Sequence, residues 1–201
     1  MRTLTIYNDP VTRATVTEPW VYWDGGFSNE QLDQIDQYCK KFDLHKGTTY
    51  GGENLSTRNS DILFHQRNPE NGWIFDTLNF IVQSANEMFY GFDLNGYDSF
   101  QYTTYSDQAN QHYDWHMDIC LGKHKETSGL VRKLSLSLLL NDDFEGGEFH
   151  INQGNQSTPT VVATKKGRAI LFPSFMIHKV TPVTKGIRKS LVVWVLGPKF
   201  Q

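Results

Sequence analysis

The spacing of apolar residues along the chain changes near residue 99, from a helical repeat to a strict alternation. Before that point, a first group of apolar residues recurs at steps of three or four and predicts a helix with one buried face. Its members are Leu32, Ile35, Cys39 and Phe42. Ser28 and Gln31 form an S-x-x-Q capping box, which is typical of a helix start.

A second, broader apolar stripe predicts another helix. Its members are Ile74, Leu78, Ile81, Ala85 and Met88, widened by Phe75, Val82 and Phe89. A stripe of this width is typical of a helix that is buried against a sheet. Residues 43–72, between the two helices, contain Gly-Gly, Asn-Pro and Asn-Gly pairs and are predicted to be loop-like.

From residue 99 onward, the period falls to two and turn residues recur. The predicted strands cover 99–105, 112–119, 131–140, 147–151, 159–163, 168–172, 177–181 and 188–196. The strand at 131–140 has two different faces, because leucines occupy its even positions from 134 to 140 whereas Ser135, Ser137 and Leu139 alternate with them. We expect the serine face to border a polar space such as a cavity.

Short strands at this density are typical of a sandwich or jelly roll. We therefore expect a mainly β fold with flanking helices, in which the helices pack on the outside of one sheet. A single domain is expected over 1–201, with a helical part over about 1–98 and a β part over about 99–198.

Composition narrows the possible functions. A net charge of −3 and a pI near 6.1 argue against binding of nucleic acid through phosphate neutralisation. No apolar run approaches the roughly 20 residues of a membrane span, and the first residues have no apolar signal segment. Two cysteines, Cys39 and Cys120, are expected to be reduced thiols in a cytoplasmic protein. His45, His65 and His124 are expected to be exposed to solvent.

Candidate chemistry begins with His116 and Asp118. Residues two apart on a strand project to the same side, so this pair offers an imidazole and a carboxylate to one space. An H-x-D pair alone is more often a surface hydrogen bond than a metal site. His178 on a later strand is either a core histidine or a third ligand. Two histidines and one carboxylate form the facial triad of non-haem Fe(II) oxygenases, which leaves three coordination positions open.

Arg188 follows ten residues after His178, and Ser190 shares its face of the last strand. A guanidinium beside a hydroxyl is a suitable clamp for a carboxylate, since the planar fork binds both oxygens. The alternative is a surface arginine at a strand end.

At this point the sequence resembles a known family, the 2-oxoglutarate- and Fe(II)-dependent oxygenases, and within it the prolyl-4-hydroxylase-like branch. The matching stretches are 113–118 (YDWHMD), 145–149 (EGGEF), 167–174 (GRAILFPS) and 178–188 (HKVTPVTKGIR), followed by Trp194. The resemblance covers about the last hundred residues with specific motifs and the helical part more loosely.

The resemblance implies a double-stranded β-helix, the cupin-like jelly roll. It implies that His116, Asp118 and His178 bind Fe(II) and that Arg188 pairs with the far carboxylate of 2-oxoglutarate. Tyr105 and Ser190 are candidate contacts of the same cosubstrate. The implied reaction uses O₂ to hydroxylate a substrate and converts 2-oxoglutarate to succinate and CO₂, with ascorbate as a candidate reductant.

The sequence leaves the substrate open. Proteins of this branch act on prolyl residues of peptides, on other protein side chains and on small molecules. Trp115 and Trp194 either shape the cavity around the expected metal site or simply pack in the core. Cys120 is expected to share the strand face of Asp118. The 121–130 loop is a candidate lid. No nucleic-acid or membrane partner is expected, and the oligomeric state stays open. The alternatives are a cupin-type metal protein, which predicts more histidine ligands, and a non-catalytic binding module on the same fold.

Overall fold

The computed structural model describes residues 18–49, 52, 54–119, 129–154 and 158–200. The helices within these residues are α1 (Asn29–Cys39) and α2 (Gly72–Ala85). A π-helical turn, Asn86–Tyr90, continues from α2, and a short 3₁₀ turn covers Asp107–Ala109.

The strands of the described residues are given in chain order. The first group is β1 (Val21–Trp23), β2 (His45–Lys46), β3 (Arg58–Asn59), β4 (Asp61–Gln66), β5 (Ser99–Ser106), β6 (His112–His116) and β7 (Leu130–Leu139). The second group is β8 (Glu145–Gly146), β9 (Phe149–Asn152), β10 (Thr160–Val162), β11 (Ala169–Pro173), β12 (Ile177–Val180), β13 (Val183–Lys185) and β14 (Ile187–Pro198).

In the described part of the chain, most of these strands form two antiparallel sheets. The larger has the order β1-β11-β7-β14-β5-β4-β2, and the smaller has the order β10-β9-β12-β6-β3. A separate two-stranded ribbon joins β13 and β8. An apolar cluster with members from both sheets lies between them and includes Tyr105, Phe149 and Phe172. The expected mainly β, two-sheet architecture is therefore confirmed, and all eight predicted strands are present.

The helices cover the outer face of the larger sheet, as predicted. The main core cluster combines Leu32 and Ile35 of α1, Leu78 of α2, and the even-numbered leucines of β7, including Leu136. The predicted capping box is present, since the Gln31 backbone N–H donates to Ser28 Oγ and the Ser28 backbone N–H donates to Gln31 Oε1. The helical layer and the larger sheet thus share one core. The opposite face of β7 borders the space between the two sheets.

The prediction of a loop-like segment over 43–72 is wrong in part, because β2, β3 and β4 lie within it. The strands β2 and β3 have two residues each, which is too short to produce a visible alternation. In β4 the two faces meet different partners. Phe64 lies beside Trp194 at the side of the inter-sheet space, whereas His65 lies in the helical layer.

Three side chains differ from the sequence expectations. Met88 is exposed because the π-helical turn after Ala85 rotates the chain and buries Tyr90 instead. Phe42 is also exposed, since α1 ends at Cys39.

The third is His65, which is buried with 6% exposure rather than solvated, and it packs against Tyr38, Phe42 and Phe100. Burial lowers the pKa of this imidazole.

No helix of the described residues is long and apolar enough to cross a membrane. Cys39 is a free, buried thiol, and His45 is exposed, as expected. The predictions for His124 and Cys120, and those for residues 121–128 of the candidate lid over 121–130, lie outside the described residues.

Candidate active site

A cavity lies between the two sheets and opens to solvent at one end. Its volume is about 410 Å³ when the solvent at its mouth is included. The lining comes from both sheets: Arg58, Gln101, Tyr105, Tyr113, His116, Asp118, Ser137, Phe149, Phe172, His178, Val180, Arg188, Ser190, Val192 and Trp194. All six residues singled out by the sequence therefore line one space.

Strand pairing brings the two histidines together. His116 is the last residue of β6 and lies opposite His178 of β12 in the antiparallel register. Asp118 follows two residues after His116, where its backbone N–H donates to the carbonyl of Ser174 at 3.0 Å. This bond fixes the chain just beyond the strand and keeps the carboxylate on the same side as the imidazole.

The three side chains form a compact donor group. Asp118 Oδ1 lies 3.7 Å from His116 Nε2, and Asp118 Oδ2 lies 3.6 Å from His178 Nε2. One donor atom from each residue lies within 4.8 Å of the other two. Adjacent ligands of an octahedral ion, at metal distances of about 2.1 Å, are about 3 Å apart. The group therefore needs only a small closure to hold an ion.

Backbone carbonyls orient both imidazoles. His116 Nδ1 lies 2.7 Å from the carbonyl oxygen of Asp114, and His178 Nδ1 lies 3.0 Å from that of Met176. A carbonyl only accepts, so each Nδ1 carries the proton, and the lone pair of each neutral ring is left on Nε2. This second contact on the far nitrogen is the usual way in which a protein fixes a metal-binding histidine.

The electrostatics of the group favour a neutral His116 and an ionised Asp118. Burial, together with the neighbouring His178, lowers the pKa of His116 to about 3. Burial acts to raise the pKa of Asp118, but His178, His116 and a hydrogen bond from Ser135 outweigh it and leave this pKa below its usual value. A deprotonated donor set of this kind is the form that binds a divalent metal ion.

Arg188 lies at the inner end of the cavity and is only 1% exposed. Its Nη1 donates to Ser190 Oγ at 3.1 Å, and its Nε has no acceptor among the described residues. Burial lowers its pKa, and no described carboxylate forms an ion pair with it. A buried guanidinium without an anion is costly, so this position is suited to an anionic ligand.

The surroundings of Arg188 fix its side chain. Tyr105 pairs with Arg188 across β5 and β14, and its ring centroid lies 5.7 Å from the guanidinium carbon. Gly147 lies on the other side, with a positive φ of +59°, and a Cβ built there would lie 2.9 Å from Arg188 Cδ. Burial also raises the pKa of Tyr105, so its phenol stays protonated and is able to donate.

Other sequence expectations have mixed outcomes. Ser137 lines the cavity, which confirms the polar face predicted for β7. Trp194 also lines it, whereas Trp115 lies outside and contacts Lys179 and His150. The reason is alternation, since Trp115 neighbours His116 on β6 and therefore faces away from the cavity.

Sequence reasoning missed Arg58 and Gln101, which also line the cavity. Arg58 lies in β3, within the segment predicted to be loop-like, and reaches the site because β3 pairs with β6. The register of a two-residue strand leaves no signal in the sequence, so this contact could not be predicted.

The residues present fit an iron(II) ion and a small diacid. Two imidazole nitrogens and one carboxylate oxygen on one side of a space are the donor set of non-haem iron sites with open coordination positions. The unpaired Nε of Arg188 supplies a cationic partner within the same cavity.

Comparison with known proteins agrees with this chemistry. Residues 100–196, which contain all six predicted site residues, match the model of the 2OG-Fe(II) oxygenase superfamily. This segment is similar to members of the 2OG-Fe(II) oxygenase superfamily, whose name states that they use 2-oxoglutarate and Fe(II).

Curated relatives match over less than half of the chain. A PKHD-type hydroxylase of Psychrobacter sp. (strain PRwf-1) is 40% identical over 93 residues, which are 44% of this chain and 34% of that protein. The PKHD-type hydroxylase YbiX of Escherichia coli O157:H7 is 33% identical over 92 residues, which are 44% of this chain and 39% of that protein. The chain thus matches less than two fifths of the length of these relatives.

Solved structures of two prolyl hydroxylases share the fold over most of the chain. A prolyl-4-hydroxylase of Pseudomonas putida aligns with a TM-score of 0.69 and 16% identity, covering 92% of this chain and 95% of the other. A prolyl hydroxylase of Trichoplax adhaerens, in complex with a hypoxia inducible factor peptide fragment, aligns with a TM-score of 0.72 and 15% identity, covering 90% and 84%. The double-stranded β-helix expected from the sequence is confirmed.

Proposed function

We propose that this protein is an Fe(II)- and 2-oxoglutarate-dependent dioxygenase that hydroxylates a substrate. One observation carries the proposal: the His116–Asp118–His178 group and a buried Arg188 with no ion-pair partner among the described residues line the same cavity. The metal-binding group would hold the ion, and the guanidinium would bind the far carboxylate of the diacid.

The contacts of the site residues support the following proposed roles. His116 Nε2, His178 Nε2 and one oxygen of Asp118 bind iron(II). Arg188 and the hydroxyl of Ser190 bind the far carboxylate of 2-oxoglutarate, and the Tyr105 phenol donates to the same cosubstrate. When bound, iron(II) and 2-oxoglutarate supply the oxidising chemistry, in which O₂ yields succinate, CO₂ and a hydroxylated substrate.

The walls of the cavity exclude water from the reacting groups. Phe149, Phe172 and Val180 are each at most 6% exposed and surround His178. A dry wall strengthens the pairing of Arg188 with its carboxylate, and it limits side reactions with water.

The substrate of this reaction is proposed at the level of class. One neighbouring prolyl hydroxylase is in complex with a peptide fragment, which supports a prolyl or other peptide side chain as the target. A small molecule is the other candidate. Ascorbate is proposed as the external reductant, and the whole chain is proposed to form one domain. The cytoplasm is proposed as the location of the protein, which the reduced, buried Cys39 supports.

The two alternatives receive less support. A cupin-type metal protein would use further histidines, but no other described histidine joins the donor group. A non-catalytic binding module would have lost a ligand or the arginine, and all four residues are present at the cavity.

The test is succinate formation from 2-oxoglutarate by the purified protein, with and without added Fe(II). We expect metal-dependent succinate formation that falls at least about 100-fold in His178→Ala, because one of three ligands is lost. His45→Ala removes an exposed histidine far from the cavity and should match the wild type. Equal turnover in His178→Ala and His45→Ala would contradict the proposal.

A further inference from the structure

A second buried arginine lines the cavity, and the proposed chemistry does not use it. Arg58 is 6% exposed and contributes to the same lining as His116, Asp118 and Arg188. Its guanidinium carbon lies 4.7 Å from the ring centroid of Tyr113, whose ring stacks on the imidazole of His116. Arg58 therefore lies beside the proposed metal ligands.

The acceptors of Arg58 among the described residues are all neutral. Its Nε donates to Ser60 Oγ at 3.0 Å, its Nη1 to the carbonyl of Thr48 at 3.0 Å, and its Nη2 more weakly to Gln101 Oε1 at 3.4 Å. A guanidinium has five N–H groups, so two of them have no acceptor in the part of the chain that the structure describes. Within the described residues, no carboxylate forms an ion pair with it. These contacts hold the side chain in one orientation without neutralising its charge.

The register of the larger sheet separates Arg58 from Arg188. Tyr105 lies opposite Arg188, whereas Gln101, the partner of Arg58, lies opposite Val192. Four residues along a strand span about 13 Å. The Arg58 guanidinium is therefore held by Gln101, four residues along β5 from Tyr105, the strand partner of Arg188.

The charges of the loaded site leave Arg58 uncompensated. The two positive charges of iron(II) and the one of Arg188 balance the single charge of Asp118 and the two of 2-oxoglutarate. The histidines are neutral. The charge of Arg58 is then without a counterpart in a region where an unpaired charge is expensive.

Resting on the proposed function, we propose that Arg58 binds a carboxylate of the substrate and thereby selects acidic substrates. Two free N–H groups of one planar guanidinium match the two oxygens of a carboxylate. The only other cation in the lining given above is Arg188, which is committed to the cosubstrate. A more highly charged group such as a phosphate would lack partners. The carboxylate belongs either to a free acid or to an acidic side chain of a peptide.

The test measures succinate formation by the full-length, Fe(II)-loaded protein with matched pairs of compounds that differ by one carboxylate. One set consists of the common L-amino acids and their carboxamides. The other consists of acetylated, amidated dipeptides with Asp or Glu and their counterparts with Asn or Gln. We expect at least one acidic compound to stimulate turnover about tenfold more than its neutral partner. The responding set identifies the source of the carboxylate.

Variants separate Arg58 from its neighbours. In Arg58→Met, the ratio of stimulation by the acidic compound to stimulation by its neutral partner should fall to about one. In Arg58→Lys, this ratio should lie between the values of Arg58→Met and the wild type, because an ammonium lacks the planar, two-pronged donor group of a guanidinium. Arg67→Met is the matched control, since Arg67 also lies over an aromatic ring, Phe75, but pairs with Asp76 on the surface. Its ratio should equal that of the wild type. Taking the ratio within each variant cancels changes in overall activity.

Several results would overturn the assignment of Arg58. They are equal stimulation by acid and neutral partners, no stimulation by any acidic compound, a retained preference in Arg58→Met, or a larger loss of 2-oxoglutarate affinity in Arg58→Met than in Arg188→Met. If Arg58→Met does not fold, the ratios of acidic to neutral stimulation in the wild type and in Arg58→Lys test the assignment of Arg58. If the wild type forms no succinate at all, the proposed function fails, and calorimetric titration with the same pairs still tests Arg58.

Discussion

Gly147 shows how closely the cavity residues are packed. It holds a positive φ between the side chains of Arg188 and Val183, where a built Cβ would lie 2.9 Å from Arg188 Cδ and 3.0 Å from Val183 Cγ2. Contacts this short are almost never observed for real Cβ atoms, so Arg188 must move if a methyl group is added. The position of the guanidinium thus depends on a glycine in a neighbouring turn.

Gly147→Ala should therefore weaken 2-oxoglutarate binding about tenfold or more, because the loss of one charge-assisted contact is worth about 1.5–3 kcal/mol. The matched control is Gly154→Ala, where φ is also positive at +100° but nothing lies within 4 Å of the built Cβ. Both variants share a backbone cost of about 1 kcal/mol. Calorimetric titration of the Mn²⁺-loaded proteins measures the affinities, and equal affinities for 2-oxoglutarate would refute this role of Gly147.

Two pairs of cavity-lining residues could be predicted from the sequence because their spacing is local. His116 and Asp118 are two residues apart, and Arg188 and Ser190 are two residues apart on one strand. Arg58 could not be identified in this way. Its place in the site depends on the pairing of β3 with β6, and tertiary contacts between distant short strands leave no periodic signal.

At the scale of elements, the edge strand β1 depends on an ion pair beside it. β1 pairs with β11, and Asp24, directly after β1, accepts hydrogen bonds from Arg168 Nε at 2.9 Å and Nη2 at 2.8 Å. The bonds from Arg168, against a smaller opposing effect of burial and with help from Lys165, lower the pKa of Asp24 to about 2. The bidentate pair therefore stabilises the end of the larger sheet.

This pair predicts an acid-dependent part of the stability. Because the folded pKa lies below the unfolded value of 3.8, the contribution is present above pH 3.8 and is lost as the pH falls through about 2. With Asp24 35% exposed, its worth is about 0.5 kcal/mol. Urea unfolding at pH 5 and pH 2.5 should show a smaller acid loss in Asp24→Asn than in the wild type. An identical loss in both proteins would contradict it.

Strands and helices differed in how well their patterns predicted them. The eight predicted strands from residue 99 onward border a core on at least one side, so alternation revealed them, whereas the short strands β8 and β13 were missed. Met88 was misplaced because a π-helical turn shifts the helical repeat, and no residue type announces such a turn. His65 was wrongly predicted to be exposed to solvent because the prediction used only the polarity of its side chain, whereas helices cover this face of its strand.

At the scale of the whole molecule, the helices and the larger sheet share one core. Leu32 of α1, Leu78 of α2 and Leu136 of β7 are each at most 1% exposed and belong to the same cluster. The opposite face of β7 carries Ser137 into the cavity. One strand thus links the structural core to the site, and we expect helices and sheets to unfold together.

Leu136→Ala and Ser137→Ala test this arrangement as a pair of neighbours. Leu136→Ala should lower the free energy of unfolding by about 2–5 kcal/mol, because it leaves a cavity in the shared core. Ser137→Ala should change it by less than about 1 kcal/mol. Far-UV circular dichroism and tryptophan fluorescence should report one coincident urea transition in each protein. Separate transitions for helices and sheets would contradict a single cooperative unit.

The most direct test of the central claim is a crystal structure of the protein grown with Mn²⁺ and 2-oxoglutarate, with anomalous scattering recorded to locate the metal. The account predicts one anomalous peak bounded by His116 Nε2, His178 Nε2 and the Asp118 carboxylate. It also predicts that the far carboxylate of 2-oxoglutarate lies against the Arg188 guanidinium. A peak elsewhere, or a diacid bound away from Arg188, would contradict it.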